Sequence, residues 1–581
     1  MQLKSSKVFL SILLIFGLVE AFRIGRWPSA SRGRSFFMTA DELADAPFLE
    51  ALEHYNSKLK STFFLPSHQR GEYSPKMAKG VLGNQAYAFD LPELDGLGNV
   101  HDFTSAEEDA LTKALTKASR FAGALRTWFL VNGSTSGVLM AMMVLRDLHT
   151  SCSRLNGNKR SVIMVTRDSH KSVFDALEIA NCDAWVLPCS IDEQFGVSTG
   201  VNADLVIESI AKFEAKWGNE AEIAGVILTR PTYQGLGLHG DSFKELIERC
   251  HSLQVPVVVD EAHGAHWGLL KDKDGYSDAL SCGADLVIQS THKTLGAMSQ
   301  AGMLHLGHAA FTCLRCSPSS LRAQEVVHRH YSMFTSTSPN ALLLASLDAA
   351  RAHAEISGTR DIEKTMGAAA TFRAGLNKAA GGDDQMAFLC DSALVLSGEC
   401  VVDTLRLTVH FPEYPDYAVE IDEWMCEHLG LWCELNLPRC IVYCLPLGAG
   451  SEELSYLFSG LVSALSKMKA GSITIEGTSC VGKQSVEQEV DNRRGRDYGF
   501  YLPSLGAGTP VTAPLLSAIG LRSAENVVPY PPGIPVLLRG EIVTTRHVQV
   551  LSTLQAHLGS GRYILCTDPS LTNLSVYDDE H

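Results

Sequence analysis

Between about residue 132 and residue 307, short apolar runs rich in Val, Ile and Leu alternate with segments that are apolar at helical spacing. Strands that are buried on both faces have continuous apolar runs, and helices between such strands are typical of a parallel sheet. The alternation therefore predicts an α/β fold with a mostly parallel sheet that helices cover on both faces. The predicted strands are VIMVT (162–166), AWVLP (184–188), GVILT (225–229), VPVVVD (255–260), ADLVIQS (284–290) and GMLHLG (302–307).

The chain of 581 residues is long enough for several domains, and its net charge of −16 argues against nucleic acid or an anionic membrane as a partner. Its 15 cysteines are scattered rather than arranged as a disulfide framework, which predicts free thiols and a reducing compartment. Cys313 and Cys316 form a CxxC without a second pair, and His263 and His266 do not have the spacing of HExxH. We therefore predict no metal.

The pattern changes near residue 345, where ALLLASLDAARAHAEI predicts a helix that leaves the large domain. The polar, charged stretch 481–497 is typical of a linker, and a proline-rich turn running into a strand (527–543) marks a small C-terminal domain. The predicted organisation is an N-terminal segment (41–105), a large domain (106–345), a small α+β domain (346–480), the linker (481–497) and a C-terminal domain (498–581).

The N-terminus has the composition of targeting segments. Lys4 and Lys7 precede the apolar run VFLSILLIFGLV, which is typical of a signal peptide that ends at Ala21. The following residues 22–40 carry four arginines and no acidic residue, as transit peptides do. This order resembles the two-part plastid presequence of algae with secondary plastids, and it predicts a plastid location with no membrane segment in the mature form. Secretion or a signal anchor is the alternative.

Polar residues follow several predicted strands, at the sheet edge where ligands bind in such folds. After FLVN, the residues Gly133–Gly137 begin an apolar helix, and its free N–H groups and hydroxyls suit a phosphate. An ordinary Ser/Thr helix cap is the alternative. His170 follows VIMVT and could stack on a planar ligand or simply begin a helix.

Asp260 and Lys293 follow two further strands. A carboxylate in such a place can pair with a protonated ring nitrogen or form a salt bridge. A lysine among apolar neighbours is a candidate Schiff-base nucleophile, because desolvation lowers the pKa of its amine. A phosphate site, a flat histidine, an aspartate and a lysine are together the parts that hold pyridoxal phosphate.

Five motifs carry a family resemblance, and in chain order they are NGSTSG, RDSHKSVFDAL, LTRPTYQG, VVVDEAHGAHWG and QSTHKTLGAMSQAGMLHL. In this order they resemble the Orn/Lys/Arg decarboxylases, a family of fold-type I pyridoxal phosphate enzymes, and most of all its bacterial biosynthetic arginine decarboxylases. The likeness covers most of residues 60–545. It implies an aminotransferase-like large domain and a homodimer or higher homo-oligomer, since Ser336–Pro339 would come close to the partner subunit's site.

The resemblance also implies a role for each site residue. Lys293 would bond the aldehyde carbon of pyridoxal 5'-phosphate, His170 would stack on its ring, and Asp260 would pair with the ring nitrogen. His263 would lie near the ring and its O3′ oxygen. The phosphate would be held by Ser134, Thr135, Ser136, Ser290 and His292.

The implied activity is decarboxylation of a basic amino acid, with arginine favoured over lysine and ornithine, as a step towards polyamines. Another fold-type I activity, such as an aminotransferase or lyase, and an inactive regulatory protein are the alternatives. The chain departs from the family at Ser67 and Gln69, at Arg539 and after Thr135. Glu541 and Asp568 are candidates to hold the substrate's cationic end, although Glu541 could instead cap a turn or pair with Arg539.

Overall fold

The structure is a computed structural model. It describes residues 46–103, 109–153, 159–271, 273, 275–380, 386–403, 405–473, 499–503, 508–556 and 563–578. The predicted signal peptide, transit peptide and linker lie outside these residues, so the structure does not bear on them.

An eight-stranded sheet forms the centre of the large domain. Its middle strands are parallel, whereas Gly302–Leu306 runs antiparallel to both of its neighbours. Each of the six predicted strands is present, so the predicted α/β class is confirmed. The strand order is Arg126–Leu130, Gly302–Leu306, Leu286–Gln289, Val257–Asp260, Ala221–Thr229, Arg160–Thr166, Asp183–Leu187 and Phe500–Leu502.

The apolar runs are continuous because alternate residues of each strand enter two different cores. In the strand Arg160–Thr166, Ile163 and Val165 pack in one core, whereas Val162 and Met164 pack in the other. Helices cover both faces, so neither set of side chains meets water. The first core receives the helices Ala110–Ala122, Gly133–Ser153, Lys171–Ala180 and Ser320–Phe334, and the second receives Ala203–Trp217 and Gly240–Ser252.

The predicted helix near residue 345 is much longer than its sequence pattern indicated. It spans Ala341–Ala380 and leads into an antiparallel sheet of the four strands Ala387–Phe388, Arg406–His410, Cys440–Cys444 and Leu435–Asn436. The helices Ala418–Leu429 and Ser451–Lys469 pack on this sheet. The short strand Cys400–Val402 pairs with Leu236–Leu238, and this pairing joins the small sheet to the large domain.

The C-terminal region contributes an edge strand to the large sheet, because Phe500–Leu502 pairs antiparallel with Asp183–Leu187. The predicted strand after the proline-rich turn is wrong. A strand, Val528–Tyr530, precedes that turn, and the predicted strand region that follows it, up to residue 543, has only isolated bridges, at Leu537 and Ile542. The remaining elements here are the strands Pro510–Pro514, Tyr563–Leu565 and Asn573–Tyr577 and the helix Thr545–Ala556.

Two cysteines depart from the prediction of free thiols, because the structure pairs Cys152 with Cys316 in a disulfide whose Cα atoms are 5.5 Å apart. The other cysteines among the described residues form no disulfide. No helix within the described ranges is both long and apolar enough to cross a membrane. Two helices precede the large domain, at Pro47–Lys58 and Lys76–Ala88, and a short hairpin is formed by Ile191–Asp192 and Val197–Ser198.

Candidate active site

Lys293 lies at the carboxyl edge of the large sheet, in the short helix Thr291–Thr294 that directly follows a central strand. Its Nζ lies 3.0 Å from Nε2 of His263, which follows the neighbouring strand. Lys293 is exposed, so a ligand can reach its side chain, and the region around it is called the lysine cleft below. Burial lowers the pKa of the Lys293 amine, while the nearby Asp260 carboxylate opposes that shift. The predicted position of Lys293, just after a strand, is thus confirmed, whereas its role as a Schiff-base nucleophile stays a prediction.

Asp260 is the last residue of the strand Val257–Asp260 and is only 5% exposed. One carboxylate oxygen accepts a hydrogen bond from the Ala262 N–H at 3.1 Å. Burial raises the pKa of this carboxyl group, and Lys293 and the Ala262 N–H act in the opposite direction. The second oxygen has no hydrogen bond with any residue that the structure describes, so it can take a cationic N–H.

The predicted anion site is the N-terminus of the helix Gly133–Ser153. Gly133 has a φ of 76°, and its N–H donates to the Gln300 carbonyl, which turns the chain into the helix. The Ser290 hydroxyl donates to the Ser134 hydroxyl at 2.8 Å, so the strand end of Lys293 and the helix start form one polar corner. Thr135 is exposed there, whereas Ser136 is buried and its hydroxyl donates to the Gly133 carbonyl. The Ser136 hydroxyl is thus bonded within the first turn of the helix, and a phosphate contact at this site stays a prediction.

His170 caps the helix Lys171–Ala180, where its Nδ1 accepts a hydrogen bond from the Ser172 N–H at 3.2 Å. Burial, with smaller contributions from Lys293 and Lys171, lowers the pKa of His170 to about 4, so its ring is neutral at physiological pH. The His170 ring lies close to Gly533 in the proline-rich turn. A Cβ atom added to this glycine would lie only 2.9 Å from His170 Nε2. His170 therefore begins a helix, as one of the two interpretations had it, and its stacking on a planar ligand stays a prediction.

His292 lies beside Lys293, and its Nδ1 donates to the Ala301 carbonyl at 2.8 Å. This bond leaves Nε2 as a hydrogen-bond acceptor when the ring is neutral. Neighbouring hydroxyls lack partners, since Oγ1 of Thr291 and Oγ1 of Thr294 are buried with no hydrogen bond to any described residue. Buried polar atoms normally find partners. These orphaned hydroxyls and the free oxygen of Asp260 fit a bound polar group such as pyridoxal phosphate.

Three residues from outside the predicted set complete the site. Arg406 begins a strand of the small sheet, and its guanidinium donates to His263 Nδ1 at 2.8 Å. The Tyr233 ring packs against the His263 ring with centroids 4.7 Å apart, and its hydroxyl donates to the Glu434 carboxylate at 2.5 Å. Tyr233 lies in the LTRPTYQG motif, so the sequence could have indicated it as a site residue. No motif in the sequence marks Arg406 or Glu434.

The two candidate anchors in the C-terminal region have other partners. Glu541 accepts a hydrogen bond from the Leu538 N–H at 2.9 Å and lies 3.6 Å from Arg167 and 3.7 Å from His547. It therefore caps a turn, as the alternative had it, and Arg539 pairs with Glu178 instead. The Asp568 carboxylate accepts hydrogen bonds from the Ser570 and Asn573 N–H groups of its own loop. Neither carboxylate contacts a residue of the lysine cleft.

One group of potential metal ligands lies elsewhere. His251, Asp285 and Cys313 have ligand atoms within 4.8 Å of one another. Asp285 precedes the strand Leu286–Gln289, so the group lies at the sheet edge opposite Lys293. The Asp285 carboxylate already accepts hydrogen bonds from the Val257 and Phe311 N–H groups. The absence of a metal remains a prediction.

Comparison with known proteins assigns the site to a family. The family model described as Orn/Lys/Arg decarboxylase, major domain, matches residues 46–411, which is more than half of the chain. The chain belongs to the Orn/Lys/Arg decarboxylase family. It is accordingly a pyridoxal-phosphate-dependent amino-acid decarboxylase, and the enzyme class predicted from the motifs is confirmed.

Relatives of this decarboxylase include arginine and lysine decarboxylases. It is 28% identical over 485 residues to an arginine decarboxylase of Halalkalibacterium halodurans, covering 83% of this chain and 88% of the relative. It is 26% identical over 509 residues to the arginine decarboxylase of Bacillus subtilis, covering 87% of this chain and 93% of the relative. The constitutive lysine decarboxylase of Escherichia coli is 22% identical over 585 residues, covering 87% of this chain and 77% of that protein.

Solved structures support the fold. Lysine decarboxylase A from Pseudomonas aeruginosa superposes with a TM-score of 0.72 at 18% identity, covering 92% of this chain and 81% of that chain. The Escherichia coli constitutive lysine decarboxylase gives a TM-score of 0.69 at 19% identity, covering 92% of this chain and 82% of that chain. At such identities the likeness shows the fold of the decarboxylase and not its substrate.

Proposed function

We propose that this decarboxylase acts on arginine first, with lysine and ornithine next, and supplies the amine product to polyamine synthesis. The observation that carries the chemistry is the position of Lys293 Nζ, 3.0 Å from His263 and in the electrostatic range of the buried Asp260. The preference for arginine is supported by the arginine decarboxylases among the relatives, which are 26–28% identical, against 22% for the Escherichia coli lysine decarboxylase.

When bound, pyridoxal phosphate supplies an electron-accepting ring that takes up the electron pair left behind as CO2 departs. Lys293 would hold its aldehyde carbon until the substrate amine takes over that position. The Asp260 carboxylate would keep a proton on the ring nitrogen, His170 would cover one ring face, and His263 would lie beside O3′. The phosphate contacts would come from Ser134 and Thr135 at the helix N-terminus together with Ser290 and His292, whereas the hydroxyl of Ser136 is already bonded to the Gly133 carbonyl.

A proton must return to the substrate Cα after CO2 has left. Lys293 would regain a free amine when the substrate displaces it, and in the structure its Nζ lies 3.0 Å from His263 Nε2. Lys293 would therefore deliver that proton, having taken it from the substrate ammonium group that displaces it. The proline-rich turn lies beside His170, because the Gly533 carbonyl accepts a hydrogen bond from the Lys171 N–H.

Glu434 is the carboxylate that we propose as the partner of the substrate's cationic end, in place of Glu541. Tyr233 connects it to the cleft, because the tyrosine ring packs on His263 while its hydroxyl donates to Oε1 of Glu434. The Glu434 side chain is exposed, and its charge acts on Lys293 by raising the pKa of the amine against the larger effect of burial. A guanidinium can bind such a carboxylate through two parallel hydrogen bonds, which favours arginine.

The test is CO2 release from arginine, lysine and ornithine, each measured with the purified enzyme and added pyridoxal phosphate. Arginine should give the highest kcat/KM, and release from lysine but not from arginine would overturn the substrate assignment. Glu434→Gln should raise the KM for arginine about tenfold or more, which corresponds to ~1.4 kcal/mol. Glu427→Gln, on an exposed position of the helix Ala418–Leu429, is the matched control and should leave KM unchanged.

An aminotransferase would need an arginine that clamps the substrate carboxylate. Arg406 reaches the site, but it is only 6% exposed and its guanidinium donates to His263, so its geometry gives that alternative no support. The same assay separates the two activities, because an aminotransferase would yield a keto acid without CO2. An inactive regulatory protein would release neither product.

We also propose that the enzyme reaches a plastid through the two-part presequence of residues 1–21 and 22–40. The apolar core followed by an arginine-bearing stretch without acidic residues supports this proposal. A reporter fused to residues 1–45 should enter the plastid of an alga with a secondary plastid. Its accumulation in the medium would favour secretion instead.

A homodimer, or a higher homo-oligomer, is the assembly that we propose. Its support is the segment 63–82, where Phe63 is 93% exposed, Met77 89% and Val81 86%. Exposed apolar side chains rarely cluster on a monomer, so this segment is a candidate subunit contact. Sedimentation should give at least twice the monomer mass. Met77→Glu combined with Val81→Glu should weaken the dimer, whereas Ile356→Glu, also at an exposed apolar position, should not.

A further inference from the structure

Three basic side chains stand in a row at the base of the cleft. Nη2 of Arg406 lies 2.8 Å from Nδ1 of His263, and Nε2 of the same histidine lies 3.0 Å from Nζ of Lys293. Arg406 and His263 are 6% and 7% exposed, so water does not separate these groups. A row of three potential cations is unfavourable unless some of them are neutral.

The guanidinium fixes where the proton of His263 resides. Arginine offers only N–H donors and keeps its charge in proteins, so the atom that it contacts must be an acceptor. Nδ1 of His263 is therefore unprotonated. Burial lowers the pKa of His263 well below its ordinary value, and the charge of Arg406 acts in the same direction, so the ring is neutral. A neutral imidazole carries one proton, and it must then be on Nε2.

The position of that proton determines the state of Lys293. Nε2–H points at Nζ, and an ammonium group also has only donors. Two donors cannot share a 3.0 Å hydrogen bond, so Nζ must present a lone pair. We infer that Arg406 is a positioning residue, which fixes the Nε2–H tautomer of His263 and thereby holds Lys293 as the neutral amine that attacks an aldehyde. The inference rests on the proposed role of Lys293 in bonding the cofactor.

The surroundings of Arg406 direct its side chain to this place. A Cβ atom on Gly235 would lie 2.9 Å from both Cβ and Cγ of Arg406, so the glycine leaves room for the arginine stem. The Gly235 carbonyl accepts a hydrogen bond from the Asp403 N–H at 2.7 Å, and the Asp403 carbonyl accepts one from the Arg406 N–H. The small sheet is thereby held against the turn that follows the strand Ala221–Thr229.

Other charged groups around Lys293 act in both directions. Burial is the largest influence and lowers the pKa of the amine, and the positive charge of Arg406 adds to it. The carboxylates of Asp260 and Glu434 raise it, as Cys444 does in its thiolate form. His170 and His292 also face the amine, and burial lowers the pKa of both rings, so they are neutral there.

The first experiment measures the amine directly in protein freed of cofactor. Lys293 is labelled with a trace of acetic anhydride across a pH series, and the acetylated peptide is quantified by mass spectrometry. The wild type should titrate below an ordinary lysine. Arg406→Met removes the donor and the charge, so the titration should move upward and labelling at neutral pH should fall about tenfold or more. Arg406→Lys keeps a donor and a charge and should stay close to the wild type.

The control for lost charge is Arg249→Met, because Arg249 pairs with Asp204 on the covering helices, away from the cleft. Its labelling profile should match the wild type. An unchanged profile in Arg406→Met, with the thermal unfolding midpoint retained, would overturn the inference. Decarboxylation of arginine by that variant at the wild-type rate would leave the proposed function standing, so the two failures are distinguishable.

A second measurement needs no folded Arg406 variant. Nitrogen-15 NMR of histidine-labelled wild-type apoprotein, with His263 assigned from its loss in His263→Gln, reports which ring nitrogen carries the proton. The inference requires a protonated Nε2 and an unprotonated Nδ1. A protonated Nδ1, alone or together with Nε2, would overturn it.

Discussion

At the scale of single residues, the site contains a buried carboxylate, Asp260, whose hydrogen-bonding capacity is only partly used. Asp260 gives one oxygen to the Ala262 N–H and keeps the other available, and this places a buried acceptor at a strand end. A carboxylate that is desolvated but not fully hydrogen-bonded has a strong preference for a cationic partner. In this enzyme that partner would be the protonated ring nitrogen of the cofactor.

Asp260→Asn tests that role. The amide has nearly the same shape but cannot stabilise a positive ring nitrogen, so we expect kcat to fall about a hundredfold or more. The variant should still bind pyridoxal phosphate and unfold at a temperature close to the wild type. CO2 release is the measurement, and Asp241→Asn, at an exposed position, is the control. A kcat equal to that of the wild type would mean that Asp260 is only a structural group.

The site residues that could be predicted from the sequence lie at the ends of strands or directly after them. Lys293, Asp260 and His170 were found because the end of a buried apolar run locates them at one edge of the sheet. Arg406 and Glu434 come from the small domain, and no local pattern indicates that their side chains reach the cleft. Their position depends on how the small sheet packs against the Gly235 turn, which is a tertiary feature.

At the scale of elements, the anion site requires the helix Gly133–Ser153 to lie close on the sheet. A Cβ atom on Gly137 would lie 2.8 Å from Leu130 and 2.9 Å from Ile288, so only glycine allows this contact. The same contact determines the distance between the helix start and the strand that carries Lys293. Gly137 is therefore a packing residue of the site.

Gly137→Ala should lower the free energy of unfolding by about 1–3 kcal/mol, because overpacking forces neighbouring side chains to shift. It should also weaken cofactor binding. Gly367→Ala is the matched control, since that helical glycine has open space around it and alanine should stabilise the helix by about 0.5–1 kcal/mol. Urea unfolding measures both. A stabilised Gly137→Ala variant would contradict the close packing.

Elements with a strong local sequence pattern could be predicted, whereas elements that depend on long-range packing could not. Buried central strands have a strong local signal, and all six were found. The edge strand Phe500–Leu502 has three residues, and its pairing with Asp183–Leu187 depends on long-range packing. The predicted strand after the proline-rich turn was wrong because Gly540, with a φ of 86°, forms a second turn inside the apolar run.

At the scale of the whole molecule, buried neutral histidines link stability to pH. His305 is fully buried between the Thr127 hydroxyl at 2.9 Å and the Gln289 side-chain oxygen at 3.1 Å. Burial lowers its pKa to about 3. Because this folded-state pKa lies below the unfolded value of about 6.5, the unfolded chain binds a proton that the native state does not. Its contribution to stability therefore decreases as the pH falls below about 6.5.

His305→Gln should make the free energy of unfolding less dependent on pH between about pH 6 and pH 4. The expected change in slope is about one proton, or ~1.4 kcal/mol per pH unit. Urea unfolding at each pH gives the slope, and His308→Gln, at an exposed histidine, should leave it unchanged. An identical slope in His305→Gln and the wild type would mean that His305 is protonated in the folded protein.

The central claim is that Lys293 is the residue to which this decarboxylase attaches its cofactor. The most direct measurement combines the visible absorbance of the lysine-bound cofactor with CO2 release from arginine, in the wild type, in Lys293→Ala and in the exposed control Lys244→Ala. We predict that Lys293→Ala loses both signals while its unfolding midpoint stays near that of the wild type, and that Lys244→Ala keeps both. CO2 release by Lys293→Ala at the wild-type rate would contradict the claim.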